Sequence, residues 1–499
     1  MKTIFTSIVL AVSVLCSVSG ECQSLEGRAV WGHPGVAGNS RESIAEFAEK
    51  LKGAHINTLV MMVKGIGGEI YYPSEKFPDS VRKGYKDFDF PAILIDECHK
   101  RDIEVHAWFC DFPEGANSAA DKAHPEWSMR NANDKTTDSE ILRGRNYGMR
   151  WMCPARRPGY TDQWLVPLID EFAQKYDIDA IHHDYVRYPG DLAPDTYCFC
   201  DYCLEEIPKW AGYYKQAYPD EAFHPNYDRP YLEAHWEPGP RVLPENWANM
   251  PRSAKSGFLL EGGFFNGGRY DLDYFFYNYR IHWIAQFTRD VFEKVRVGKP
   301  EMEFSAAVFK NPVHSGRFIG QDWREFSDWV QYMMPMDYRS HYPGTFEQHL
   351  DLLEESIMQQ KQWACDAKHL WPGIASYQLY SEESAFHRAA RRIVENDEIR
   401  DDFASVFTAV EASLKKTDGA VADALKAYFN SPNDANRAKA VISLKSVVEK
   451  YPKYYRPPYK FVQTLQRVKD TGVKGMVVFA IGDVINNGLL DELGEFFAQ

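Results

Sequence analysis

"TDQWLVPLIDEFAQKYDIDAIHHDYVRYPG", residues 161–190, joins a helix to a buried strand and ends the strand in polar and aromatic side chains. Leu165, Leu168, Ile169 and Phe172 recur at helical spacing. The short apolar run that follows is closed by His182, His183, Asp184, Tyr185, Arg187 and Tyr188. A helix that feeds a buried strand, with chemistry crowded at the strand's far end, is the building unit of parallel α/β barrels.

The same unit recurs on both sides. Buried strands are expected in "GRAVWGHPG" (27–35), "NTLVMMVKGIGGEIYY" (57–72), "EVHAWFCDFPEG" (104–115) and "DAIHHDYVRYPG" (179–190). Four more follow in "MEFSAAVF" (302–309), "FSDWVQYMMPMDY" (326–338), "LWPGIASYQLY" (370–380) and "VKGMVVFAIG" (473–482). Amphipathic stretches lie between them; the first, "SRESIAEFAEKLKGAHI", offers Ser40 as its N-cap. Strands apolar along their whole length are covered on both faces. The expected fold is therefore a (β/α)8 barrel of the α/β class, one domain over residues 21–499. Two insertions interrupt it: a Pro-, Gly- and aromatic-rich loop at 191–275 after strand four, and a helical segment at 381–458 between strands seven and eight. "GHPGVAG" lacks the spacing of a dinucleotide-binding turn, and no cofactor is expected.

Composition narrows the partners. The formal net charge of −14 disfavours nucleic acid and anionic membranes, whose ligands are basic surfaces. "MKTIFTSIVLAVSVLCSVSG" (1–20) has the Lys, apolar core and small-residue end of a secretory signal peptide, so a secreted or periplasmic location is expected. No later run is apolar for long enough to span a bilayer. Cleavage after Gly20 would leave eight of nine cysteines. Cys198, Cys200 and Cys203 are packed as Cys-x-Cys-x-x-Cys, which suits a structural zinc with a fourth ligand from Cys110, Cys153 or a histidine, or else disulfides.

In such a barrel the site lies at the C-terminal strand ends, so the rim can be read directly. It delivers Trp31, His33, Lys64, Trp108, Asp111, His183, Asp184, Tyr185, Arg187, Lys310, Asp337, Tyr338, Tyr377 and Asp483. Aromatic faces suit sugar rings, and charged groups suit their hydroxyls. Glycosidic cleavage requires two carboxyl groups, one kept protonated. Asp184 is the expected nucleophile, held ionised by Arg187 and His183, and Asp337 the expected acid. Trp31, His33, Lys64, Trp108, Asp111, His183, Tyr185, Arg187, Tyr338 and Tyr377 are the expected substrate contacts. Glu69 and Asp111 are alternative carboxyls. His182 and His183 are neighbours on a strand and point to opposite faces, which disfavours a catalytic metal on the pair.

"GRAVWGH", "FDFPAILIDECHKRDIEVHAWF" and above all "WMCPARRPGYTDQWLVPLIDEFAQKYDIDAIHHDYVRYP" resemble family 10 of the bacterial glycosyl-hydrolase-like proteins, within the amylase-like (β/α)8 barrels. "MMPMDY" and "GVKGMVVFAIGDV" add weaker matches. The resemblance implies an exported hydrolase of peptidoglycan glycan strands or other poly- or oligosaccharides, and places Asp184 at the carboxylate position after strand four. One departure stands out. Amylase-type barrels carry a glutamate after strand five, where this chain has Lys310. The acid then falls to Asp337, as in α-galactosidase-like barrels, or to Glu237 or Glu261 in the inserted loop. A barrel that binds glycans without cleaving them is the alternative reading, and a metal-dependent hydrolase on the same barrel is a second one.

Overall fold

All eight expected strands form, in the expected order. The computed structural model describes residues 25–207, 246–261, 269–364, 369–396, 398–399, 403–450 and 459–499. The strands are β1 (Gly27–Gly32), β2 (Thr58–Lys64), β3 (Glu104–Cys110), β4 (Ala180–Asp184), β5 (Glu303–Phe309), β6 (Tyr332–Met336), β7 (Gly373–Ala375) and β8 (Gly475–Phe479). Each pairs in parallel with its sequence neighbours, and β8 pairs with β1 to close the barrel. Near the mouth Phe109 lies opposite His183, and Cys110 opposite Asp184.

The strand period of two builds two apolar layers. Ala29, Trp31, Val60, Met62, Trp108, Tyr332, Met334 and Val477 fill the barrel. Val30, Leu59, Met61, Phe109, Ile181, Met333 and Val478 face outward into a larger core shared with the helices. Those helices include α1 (Arg41–Gly53), α2 (Phe90–His99), α3 (Val166–Lys175), α4 (Arg269–Arg296) and α5 (Phe346–Trp363). Ser40 caps α1 as expected: its side chain accepts from the Ser43 N–H while Ser43 answers reciprocally. In α3 the apolar residues Leu168, Ile169, Phe172 and Ala173 are buried, and Pro167 lies just after a π-helical turn, Thr161–Leu165, that runs directly into the helix.

Between β3 and α3 the chain makes an excursion that periodicity did not reveal. It holds two antiparallel pairs of two residues each, Pro113–Glu114 with Arg150–Trp151 and Ile141–Leu142 with Arg145–Asn146. Ladders this short carry no readable alternation.

After β7, α6 (Ser376–Asn396) leads into α7 (Phe403–Thr417), α8 (Gly419–Asn430) and α9 (Asp434–Lys450), before α10 (Tyr459–Asp470) returns the chain to β8. Phe386, Ile393, Phe407, Val410, Leu425 and Leu444 form a second core there, separate from the barrel's. Finally, α11 (Ile481–Asn486) follows β8 directly. The expected signal segment lies outside the described residues, as do 208–245 and 262–268 of the loop after β4. No helix among the described residues is long and apolar enough to cross a membrane.

Candidate active site

Asp184 ends β4 on the face that looks into the barrel mouth. Its Oδ2 accepts the Trp108 Nε1–H at 3.1 Å, and its Oδ1 accepts the Tyr185 backbone N–H at 2.6 Å. The group is 8 % exposed. Burial pushes its pKa up to about 6, against the pull of Arg187, the Tyr185 N–H and Trp108. Tyr185, the donor of that backbone N–H, adopts a φ of 53°, a left-handed conformation costly for an aromatic residue.

Beneath Asp184 lies a neutral floor. Trp31 Nε1 donates to His182 Nε2 at 3.1 Å, and His182 Nδ1 meets Ser305 Oγ at 2.8 Å. Full burial holds the His182 pKa well below the ordinary value, so the ring is uncharged at neutral pH.

An aromatic wall stands around the carboxylate. The His33 ring is 5.2 Å from Trp108. Phe479, at the end of β8, lies 6.0 Å from Trp31, 6.4 Å from Trp108, 6.3 Å from Tyr377 and stacks on Tyr338 at 5.6 Å. The Arg187 guanidinium is caged by Tyr185 and Phe309, each at 4.8 Å, and by Trp151 at 5.2 Å. Such a wall offers apolar faces for stacking and a ring of donors around one carboxylate.

Of the residues singled out from sequence, the mouth gathers Trp31, His33, Trp108, Asp184, Tyr185, Arg187, Tyr338 and Tyr377. Four others are placed elsewhere. Lys64 is fully buried in the wall, where its Nζ donates to the carbonyls of Cys110 at 2.7 Å and Pro113 at 3.1 Å and pairs with Glu114 at 3.2 Å. No donor is left for a sugar. His183 faces the helix layer, its ring against Phe287 and Phe304, and bonds Asp111 Oδ2 through Nδ1 at 2.9 Å. Both members of that pair are fully buried. His183 therefore belongs to Asp111, and of the two cations expected beside Asp184 only Arg187 is there.

Asp337 is the fourth. It is 1 % exposed, and its Oδ1 accepts from the Tyr342 hydroxyl at 2.5 Å and from Gln360 Nε2 at 2.9 Å. Gln360 lies on the buried face of α5, so the carboxyl is held between barrel and helix and not across the mouth. Burial lifts its pKa to about 7, against Tyr342, Gln360 and Lys310.

Two other carboxyls are less enclosed. Glu69 accepts from the Tyr71 hydroxyl at 3.0 Å and pairs with Arg82 at 3.4 Å, beside a groove of about 830 Å³ that Phe77, Asn117, Lys122 and Trp164 also line. Asp483, in the first turn of α11, faces His33; burial raises its pKa and His33 lowers it. Glu237 and the Glu261 side chain lie outside the described residues. Phe479, Trp151 and Phe309 stand at the mouth, and His182 beneath it, without having been expected as substrate contacts. Phe479 and Phe309 each close an apolar run at the rim, a signal that was readable; Trp151 arrives through the excursion and had none. Among the described residues, the group with metal-ligand spacing is Cys153, Cys198, Cys200 and Cys203, outside the mouth.

The family model described as glycosyl hydrolase-like 10 matches residues 27–388. Over 197 residues the chain is 25 % identical to glycosyl hydrolase YngK of Bacillus subtilis (strain 168), covering 37 % of this chain and 33 % of that one. Over 177 residues it is 24 % identical to glycosyl hydrolase DigH of Escherichia coli (strain K12), covering 32 % and 38 %. The matched segments thus span little more than a third of these relatives. Among solved structures, a β-galactosidase from Rahnella sp. R3 is similar with a TM-score of 0.45 and 14 % identity, over 71 % of this chain and 45 % of that one. An α-L-fucosidase isoenzyme 2 from Paenibacillus thiaminolyticus gives 0.41 and 16 %, over 70 % and 40 %.

Proposed function

We propose that this chain, which belongs to the glycosyl hydrolase-like 10 family, is an exported glycoside hydrolase that cleaves a poly- or oligosaccharide, with peptidoglycan glycan strands as the first substrate to try. The observation that carries the reading is Asp184: one inward carboxylate, held by two donors, at the centre of an aromatic mouth. Above pH 6 it is mostly ionised and serves as nucleophile or base at the anomeric carbon.

The proton donor has to reach the same space. Asp483 suits this role because partial burial favours its protonated form, and a chain of contacts through His33 and Trp108 links it to Asp184. Asp337 is assigned a structural role behind the wall. Arg187, Tyr185 and Tyr338 are assigned to hold the sugar over Asp184.

The test is digestion of a glycan panel, read by mass spectrometry, with wild type beside Asp184→Asn, Asp483→Asn and Glu69→Gln. Product from wild type, reduced roughly 10²–10⁴-fold in Asp184→Asn and Asp483→Asn but not in Glu69→Gln, supports the assignment. Product undiminished in Asp184→Asn overturns it. The anomer released then reports the carboxyl spacing, ~5 Å for retention and ~6.5–9.5 Å for inversion.

The enclosure of Asp337, together with Lys310 after β5, favours a second reading: a glycan-binding barrel without cleavage. Equal binding by wild type and Asp184→Asn, with no product from either, would support that reading.

A further inference from the structure

Outside the mouth, Cys153, Cys198, Cys200 and Cys203 converge on one point, all four buried, with every sulfur within 4.8 Å of every other. Cys153 closes the excursion after β3; the other three lie in the segment after β4. All four are free thiols. The Cys153 and Cys203 sulfurs are 3.5 Å apart, and those of Cys153 and Cys200 are 3.8 Å apart. A disulfide would bring a pair to ~2.05 Å. Four Zn–S bonds of ~2.3 Å in a tetrahedron place their sulfurs ~3.8 Å apart, close to the Cys153–Cys203 and Cys153–Cys200 separations. Two disulfides require only two close pairs. Mutual approach of all four is what a single ion requires.

The surroundings suit a thiolate cluster. The Cys200 N–H points at Cys198 Sγ at 3.5 Å, and the Tyr279 hydroxyl at Cys203 Sγ at 3.8 Å. The Tyr188 hydroxyl is buried with no hydrogen-bond partner and lies in the field of Cys153 and Cys203. A buried cation, Arg280, stacks on the Tyr188 ring at 4.3 Å and is coupled electrostatically to Cys198. Four thiolates around a divalent ion carry a net double negative charge, which a neighbouring guanidinium offsets.

We propose that Cys153, Cys198, Cys200 and Cys203 bind one zinc ion as a closed structural site that ties the excursion after β3 to the segment after β4. Four thiolates leave no open position, so the ion takes no part in hydrolysis. Its effect on the mouth is indirect. Cys153 stands two residues from Trp151, whose indole packs 5.8 Å from the Tyr185 ring and under the Arg187 guanidinium beside Asp184. Clamping Cys153 to the Cys198–Cys203 segment holds that stack in place.

Zinc and iron in purified full-length protein, measured by inductively coupled plasma mass spectrometry, test the site. One zinc per chain is expected, retained in Cys98→Ser, a buried cysteine elsewhere, and lost in Cys153→Ser and Cys200→Ser. Should the latter two fail to fold, wild type is titrated with a mercurial while a chromogenic chelator reads the release of zinc; four thiols per zinc are expected. A metal-free protein whose intact mass is short by four hydrogens, with peptides joined through these cysteines, overturns the proposal in favour of two disulfides. Stoichiometric iron in place of zinc overturns the choice of ion.

Discussion

Asp184 and Asp337 are both buried carboxyls near strand ends, yet they face different layers and respond differently to pH. Asp184 is held ionised in part by the Trp108 N–H. Trp108→Phe keeps a ring and removes the donor, so the Asp184 pKa should rise. Activity that depends on the ionised form is lost as pH falls through about 6. In the variant this acidic limb should move to higher pH, with kcat near neutrality down about tenfold; an unmoved limb would detach Asp184 from the pH profile. Asp337 is read through stability. Its ordinary pKa of 3.8 becomes about 7 in the fold. Folded chains keep a proton that unfolded chains release, so its contribution is full below about pH 4 and is lost as pH rises to about 7. Between pH 5 and pH 8, wild type should therefore lose more melting temperature than Asp337→Asn; equal losses by calorimetry would contradict the raised pKa. Asp184 was legible because its neighbours His183, Tyr185 and Arg187 mark a strand end. Asp337 was misplaced because the turn at Met336 and Tyr338 decides which layer its side chain enters, and α5 decides its partners.

Strands are the most legible elements of this chain, since a fully apolar run between helical stretches has few other uses. What holds them in register at the closed end is less apparent. Gly475 at the start of β8 and Gly27 at the start of β1 both lie against the Trp371 indole; a Cβ on Gly475 would stand 2.5 Å from its Nε1. Gly475→Ala should destabilise the barrel by roughly 1–3 kcal/mol through overpacking at the β8–β1 seam, read by chemical denaturation. No loss would mean that the indole moves freely. Caps were readable locally, as Ser40 illustrates, because the bonds span three residues. The two-residue ladder that carries Trp151 was not, because it pairs Pro113 with Trp151 and Glu114 with Arg150, far apart along the chain.

The helical insertion has a core of its own, and α6 reaches both it and the core between barrel and helices: Leu379 packs with the latter, while Phe386, Ala390 and Ile393 pack with α7, α8 and α9. Calorimetry should resolve two transitions. Leu425, fully buried in the second core, tests which is which. Leu425→Ala should lower one transition by roughly 2–5 kcal/mol and leave the other in place. If both move together, the helical insertion and the barrel unfold as one unit. The insertion itself was legible as a charged, alanine-rich break between strands seven and eight. Its separate core was not, because helical spacing shows that a face is apolar without showing what covers it.

By itself the sequence determined the barrel, the strand order and the place of Asp184 at the end of its strand. These depend on periodicity and chain order, which are local properties. Tertiary structure alone decided that Lys64, Asp111, His183 and Asp337 stand behind the wall, that Trp151 stands at the mouth, and that Cys153 joins Cys198, Cys200 and Cys203. Each of those outcomes depends on which distant segment meets a side chain once the strands have closed, and no local pattern in the sequence encodes that meeting.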